Sequence, residues 1–236
     1  MATAAAIDER SSAVEHTFDN QYWDQIWTGD RAAAMGSGQP NPHLVREVGD
    51  LKPGTALEAG CGAGAEAIWL AGRGWQVTGA DIAEAALERA AERAEDAGVA
   101  DKVQWVRADL STWTPDTQYD LVTTHYAHPA MPQLEFYDRL TSWVAPAGTL
   151  LIVGHLHHDD PDGHGSGQGH GHGHGQAHES DGPPASASAT AAGITSRLDP
   201  SRWDVATAEE SHRTVSGPGG KTTTLHDVVV RAVRRG

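Results

Sequence analysis

The stretch Leu57-Glu58-Ala59-Gly60-Cys61-Gly62-Ala63-Gly64-Ala65 constrains this chain more than any other. An apolar run enters it, three alternate glycines follow, and AEAIWLAGR leaves it with apolar residues three and four apart. That order reads as a strand, a tight turn and the start of a helix. Glycine permits such a turn and lets backbone approach a ligand that a side chain would hold off, while the first helical turn offers free N–H groups. A turn so built suits a nucleotide-like ligand.

The rest of the chain extends the alternation. Strands are expected at TALEAGC, WQVTGAD, KVQWVRAD, YDLVTTHY and GTLLIVGH, and helices at AEAIWLAGR, IAEAALERAAERAEDAG and MPQLEFYDRLTSWV, the second closing at Gly98. Strand and helix alternating at this spacing require parallel pairing through right-handed crossovers. RWDVATAEES and KTTTLHDVVVRAV, joined by VSGPGG, add an antiparallel hairpin. The expected fold is α/β: a doubly wound, Rossmann-like, mostly parallel sheet of seven strands ending in that hairpin. Ligands of such sheets bind beyond the C-terminal strand ends where strand order reverses, which directs attention to residues 58–64, 81, 109 and 125–128.

Residues 1–50 read as an N-terminal helical lid segment and 51–236 as one domain with a low-complexity insertion at about 157–192. From Pro161 to Ala192 the chain is Gly, His, Ser, Ala and Pro with almost no aliphatic bulk, too little to offset chain entropy, so a loop is expected. His155, His157, His158, His164, His170, His172, His174 and His178 are eight of the chain's 14 histidines. Imidazoles gather divalent metals, yet an alternating Gly-His run lacks the fixed scaffold of a four-ligand centre. The expectation is loose metal binding and no assigned metal site. In the lid, Phe18, Tyr22 and Ile26 share a helical stripe beside Trp23 and Trp27, placed to pack on the sheet or to close over a ligand.

A formal charge of −15 repels phosphate backbones, and the one short basic run is the terminal RAVRRG, so nucleic acid is not expected as a partner. The N-terminus lacks the basic start and apolar run of a signal peptide, no apolar stretch approaches membrane-spanning length, and Cys61 is the single cysteine. A cytoplasmic protein with a small-molecule substrate is the expectation.

Two ligands fit the glycine turn. Gly60, Gly62 and Ala65 satisfy the dinucleotide pattern G-x-G-x-x-G/A, with Asp81 about twenty residues on where a ribose-binding acid belongs, so an NAD-dependent oxidoreductase is one reading. Against it, Glu58 has no place in the dinucleotide fingerprint, whereas a carboxylate there can neutralise an amino group or order water beside a methionine moiety. Asp109, closing the third strand, sets a second acid beside an adenine edge. LEAGCGAGAEAIWLAGRGWQVTGADI, followed by VRADL, YDLVTTHYAH and WVAPAGTLLIVGH, resembles the motif series of class I S-adenosylmethionine-dependent methyltransferases, from about Tyr22 to His155 and again in the hairpin. Tyr22-Trp23-Asp24 and Pro40-Asn41-Pro42-His43-Leu44 make it similar to the small-molecule branch with tellurite-resistance and thiopurine methyltransferase-like proteins. An aromatic usual in that branch just before the Asn-Pro step is replaced by Met35-Gly36-Ser37-Gly38 nearby.

The resemblance implies S-adenosylmethionine as cofactor. It implies that Gly60, Gly62 and Gly64 line its methionine part, that Asp81 binds the ribose hydroxyls and Ile82 packs on adenine, and that Asp109 and Leu110 bracket the adenine edge. His125 then borders the methyl group. The implied reaction is methylation of a small acceptor at N, S, O or a metalloid; the competing readings are the oxidoreductase and a cofactor-binding protein with a metal-collecting loop. Where a proton must leave the acceptor, His125 and His128 are the candidate general bases, with Tyr126 and His155 nearby; the same residues also suit a polar pocket wall that moves no proton.

Overall fold

The computed structural model describes residues 19–28, 38–156, 188–216 and 222–236. Helices are α1 (Asn20–Thr28), α2 (Pro42–Val48), α3 (Ala65–Gly72), α4 (Glu84–Asp96), α5 (Gln133–Trp143) and α6 (Ala191–Thr195). Strands are β1 (Thr55–Ala59), β2 (Gln76–Asp81), β3 (Val103–Arg107), β4 (Tyr119–His125), β5 (Val144–His155), β6 (Trp203–Ser216) and β7 (Thr222–Arg234). At the starts of α2 and α6 a side chain satisfies a free backbone donor. Asn41 accepts from His43 N–H with Pro42 in the first helical turn, and Thr190 accepts from Gly193 N–H. Gly98, just past the end of α4, takes φ +68°, the left-handed stop expected of it.

The seven strands form one sheet in the order β3-β2-β1-β4-β5-β7-β6. Strands β1 to β5 pair in parallel, and β7 runs antiparallel to both β5 and β6. The order reverses between β1 and β4, which puts the ends of both strands at the crevice where ligands bind. Side chains alternate in strict period two. Leu57, Val122, Leu150, Ile152, Val228 and Val230 face a core closed by Phe136, Tyr137, Leu140 and Trp143 of α5 and by Ile194 of α6. Their neighbours Ala56, Leu121, Leu151, Val153 and Val229 face the opposite core, with Leu44 and Val48 of α2, Leu70 of α3 and Trp75. Helix α2 is thus built into the same core as the sheet.

Two local expectations need correction. Strand β5 begins at Val144 rather than Gly148, because Tyr119 pairs with Val144 before the register shifts and resumes at Leu121 with Thr149; Ala147 in the intervening bulge has φ +62°. The expected loop also ends sooner than Ala192. Ser188 bridges His155, Ala189 N–H donates to His155 O, and Ala189 and Ala191 are buried beside α5. Alanine reads as low complexity, yet its small side chain is what a tightly approaching segment needs. The remainder of the His-rich stretch, His157 to His178, lies outside the described residues, as does Phe18. No helix among the described residues is long and apolar enough to cross a membrane.

Phe136 is fully buried between α5 and the sheet. Phe136→Ala is expected to destabilise the fold by about 3–5 kcal/mol, read as a lower urea midpoint with unchanged slope.

Candidate functional site

A cavity of about 560 Å³ opens at the C-terminal ends of β1, β2 and β4, within the ~300–1,000 Å³ typical of small-ligand sites. Gly60, Gly62, Asp81, Ile82, Asp109 and Leu110 line it together with Asn41, Tyr126, His128 and Arg213, and His125, Trp23 and Trp27 are also at its wall.

The glycine turn is set by close packing as well as by ligand access. Gly60, Gly62 and Gly64 all have positive φ, +80°, +48° and +76°. A Cβ on Gly60 would meet the Ala127 methyl at 2.3 Å, and one on Gly62 would meet the Trp27 ring at 2.8 Å. Gly64 departs from the expectation: it is not among the lining residues, and a Cβ there would run into Trp105 at 2.5 Å and Ala90 at 3.0 Å. Its role is to let α3 settle against β3 and α4. Gly60 and Cys61 N–H both donate to Ala80 O, and Gly62 N–H donates to Asp81 Oδ2 at 2.8 Å, so β2 holds the turn open.

Asp81 accepts a second backbone donor, Ala83 N–H at 3.0 Å on Oδ1. Burial pushes its carboxyl up, and the Ala83 and Gly62 amides pull it back. Asp109 Oδ1 accepts from Ser111 N–H and Oγ–H. Both acids therefore brace their own turns, and since each carboxylate oxygen offers two lone pairs, both keep acceptor capacity for a ligand.

Behind the turn, Glu58 Oε1 lies 2.9 Å from His125 Nδ1, and both side chains are almost wholly buried. Glu58 Oε2 and His125 Nε2 have no hydrogen-bond partner. Glu58 is not at the cavity surface; its carboxylate reaches the site through His125, which is. Burial disfavours the imidazolium, but the adjacent Glu58 carboxylate outweighs it and holds His125 above its ordinary value. Burial likewise pushes Glu58 up. His128 sits within 3.3 Å of Gln133 Oε1 and is pulled down by burial. His155 stacks on His128 and Tyr126, and burial pulls it down to about 4. His128 and His155 are therefore neutral near pH 7, while His155 is set behind the wall rather than on it.

Tyr126, expected beside the candidate bases, is joined by two residues the sequence reading did not single out, Asp227 and Arg213. Tyr126, at φ +56° directly after β4, donates its hydroxyl to Asp227 Oδ1 of β7, and Arg213 of β6 reaches both. Asp227 had a legible signal: a carboxylate inside the apolar run HDVVV of a central strand must be paired. Arg213, on an alternating strand with many polar residues, carried none. Trp27 is buried against Gly62, packs with Ala63, Ala83 and Ala86, and also stands at the cavity wall, which suits both uses expected of it. Among the described residues no cluster of three or more His, Cys, Asp or Glu is placed to hold a metal.

Residues 56–148 match the family described as methyltransferase domain. Thiocyanate methyltransferase 1 of Brassica oleracea is 32% identical over 117 residues, 49% of this chain and 51% of that protein. A probable thiol methyltransferase 2 of Arabidopsis thaliana is 33% identical over 103 residues, 42% and 45% of the two chains. The chain spans about half the length of these curated relatives. The magnesium protoporphyrin IX methyltransferase of Synechocystis PCC 6803, solved with bound SAM, superposes with a TM-score of 0.60 at 18% identity, over 96% of this chain and 100% of that one. That likeness extends the shared fold through the C-terminal hairpin.

The Glu58–His125 pair makes a titration expectation. In the intact protein the His125 ring is expected to titrate above 6.5; in Glu58→Gln, where burial is opposed only by Glu66, it is expected to titrate lower than in the intact protein. A folded value raised in this way stabilises the protein fully below the unfolded pKa, near 6.5, and the contribution is lost as pH rises through the folded value. NMR titration of the imidazole protons checks both.

Proposed function

We propose, from the premise that this chain belongs to the class I S-adenosylmethionine-dependent methyltransferases, that it transfers a methyl group to a small-molecule acceptor. The observation that carries the reading is one cavity with two unlike sets of lining residues. The glycine turn with Asp81 and Asp109 supplies one set of lining residues, and Tyr126, His128 and Arg213 supply a second, polar set. The sheet order supports the same reading over the dinucleotide alternative. An oxidoreductase of the expected kind runs 3-2-1-4-5-6, without the antiparallel β7 inserted beside β5.

The residues present fit the cofactor. The backbone at Gly60 and Gly62 borders the cavity without side chains, Ile82 and Leu110 offer apolar faces for an adenine, and Asp81 has acceptor capacity for ribose hydroxyls. Bound there, S-adenosylmethionine supplies an electrophilic methyl on a cationic sulfur. The chain's own residues hold the two partners in line and keep water out, with Trp23 and Trp27 as the apolar cover. The Glu58–His125 pair sets a negative, proton-holding group behind His125, suited to the amino and sulfonium charges of the cofactor. Thiocyanate, and a thiol that arrives as its thiolate, acceptors of the kinds in the names of the curated relatives, have no proton to lose in the site, so positioning carries the rate.

Three measurements test this. S-adenosylhomocysteine at a hundred times its dissociation constant is expected to stabilise the fold by about 2.7 kcal/mol in a thermal-shift titration, with no response to NAD. A rise with NAD alone contradicts the reading. Asp81→Ala is expected to weaken cofactor binding by about 1.5–3 kcal/mol by calorimetry, whereas unchanged affinity would leave Asp81 as a turn brace only. With a thiol acceptor, His128→Gln is expected to keep its rate across pH 6–8, whereas a fall of ~10²–10⁴-fold would make His128 the general base.

A further inference from the structure

Three separate segments converge on a single carboxylate beside the cavity. Asp227 on β7 is fully buried, and its oxygens are taken up from within. Oδ1 accepts from the Tyr126 hydroxyl at 2.8 Å, and Oδ2 accepts from Arg213 Nε at 2.6 Å and lies 3.1 Å from His43 Nε2. The Tyr126 oxygen in turn accepts from Arg213 Nη2 at 3.0 Å and from Asn41 Nδ2 at 3.4 Å. Burial pushes the Tyr126 phenol up to about 12, so it stays a donor to Asp227 and does not serve as a base.

This arrangement leaves Arg213 with one edge committed and one edge available. A guanidinium carries five N–H donors in a planar fork. The edge formed by Nε and Nη2 is spent on Asp227 and Tyr126, while Nη1 has no partner among the described residues and the side chain lines the cavity. Asp227, Tyr126 and the cation–π contact of Arg213 over the Tyr126 ring fix the fork in place before any ligand arrives. A fork so held loses little side-chain freedom on binding. The carboxylate that balances its charge lies behind it, so the free edge offers hydrogen-bond donors only. The acids that also border the cavity, Glu66, Asp81 and Asp109, belong to α3, the end of β2 and the segment after β3, and Glu66 is tied to Asn41 N–H.

Resting on the methyl-transfer reading, we propose that the available edge of Arg213 anchors a small anionic acceptor through a carboxylate carried beside the nucleophile. Such an acceptor gives its electron pair to the methyl carbon. The old carbon–sulfur bond breaks with its pair remaining on the cofactor sulfur, and the negative and positive charges cancel. For a thiolate-like nucleophile no proton moves, which agrees with a site whose cavity-facing His128 is not needed as a base. Arg213 holds its charge at every accessible pH, so the anchor does not titrate.

The test uses the full chain saturated with S-adenosylhomocysteine and two ligands of one shape, 3-mercaptopropionate and its amide, titrated by calorimetry. The intact protein is expected to prefer the carboxylate by about tenfold or more, and Arg213→Gln to bind the two alike. Arg213→Lys keeps the charge but loses the fork and is expected to retain only part of the preference. Equal affinities in the intact protein, or a preference undiminished in Arg213→Gln, would overturn the proposal. The first comparison needs no variant and stands even where Arg213→Gln does not fold with Asp227 left unpaired. Failure of S-adenosylhomocysteine itself to bind would overturn the methyl-transfer reading, and this proposal with it.

Discussion

The site depends on one constraint, the backbone of the turn between β1 and α3. Positive φ at Gly60, Gly62 and Gly64 turns the chain sharply, and β2 fixes the result by offering Ala80 O to two amides and the Asp81 carboxylate to a third. Each missing side chain admits a neighbour that would otherwise collide. Ala127 comes in over Gly60, Trp27 over Gly62 and Trp105 under Gly64. The post-β4 loop, the N-terminal helix and β3 are thereby drawn to one place. A side chain at any of the three positions would strain the backbone and displace one of these walls.

Asp81 shows how structure and function share a residue. Its carboxylate ties the end of β2 to the glycine turn and to the entry of α4, so the acid proposed to bind ribose also shapes the wall on which it stands. The Asp227 cluster has the same economy. It pins the hairpin to β4 and to the segment before α2, and in doing so it orients Arg213. Tyr126 holds a left-handed backbone that non-glycine residues seldom adopt, supported by its N–H bond to Val153 O and by the three partners of its hydroxyl.

The sheet, the crossovers and the glycine turn were legible because they rest on local patterns: period-two apolar runs, helical spacing and glycine placement. Asp81, Ile82, Asp109, Leu110, His125 and His128 were locatable because each closes or directly follows a strand whose end the topology brings to the crevice. Gly64 was misread as lining the ligand because its conformation is local, while the reason for it, Trp105, arrives from β3, forty residues on in the sequence by simple numbering. Arg213 was invisible for the same reason in stronger form: its meaning comes from Asp227 and Tyr126, two partners far from it in sequence or on another element. The alanines at 189 and 191 read as filler because nothing local shows how closely that segment approaches α5.

The central claim is that the two unlike sets of residues lining one cavity hold cofactor and acceptor side by side. A crystal structure of the chain grown with S-adenosylhomocysteine and thiocyanate tests it most directly. The account requires the ribose on Asp81, the adenine between Ile82 and Leu110, and the anion within hydrogen-bond reach of Arg213 on the far side of the sulfur. Cofactor bound away from the glycine turn, or an acceptor seated against a different wall, would contradict it.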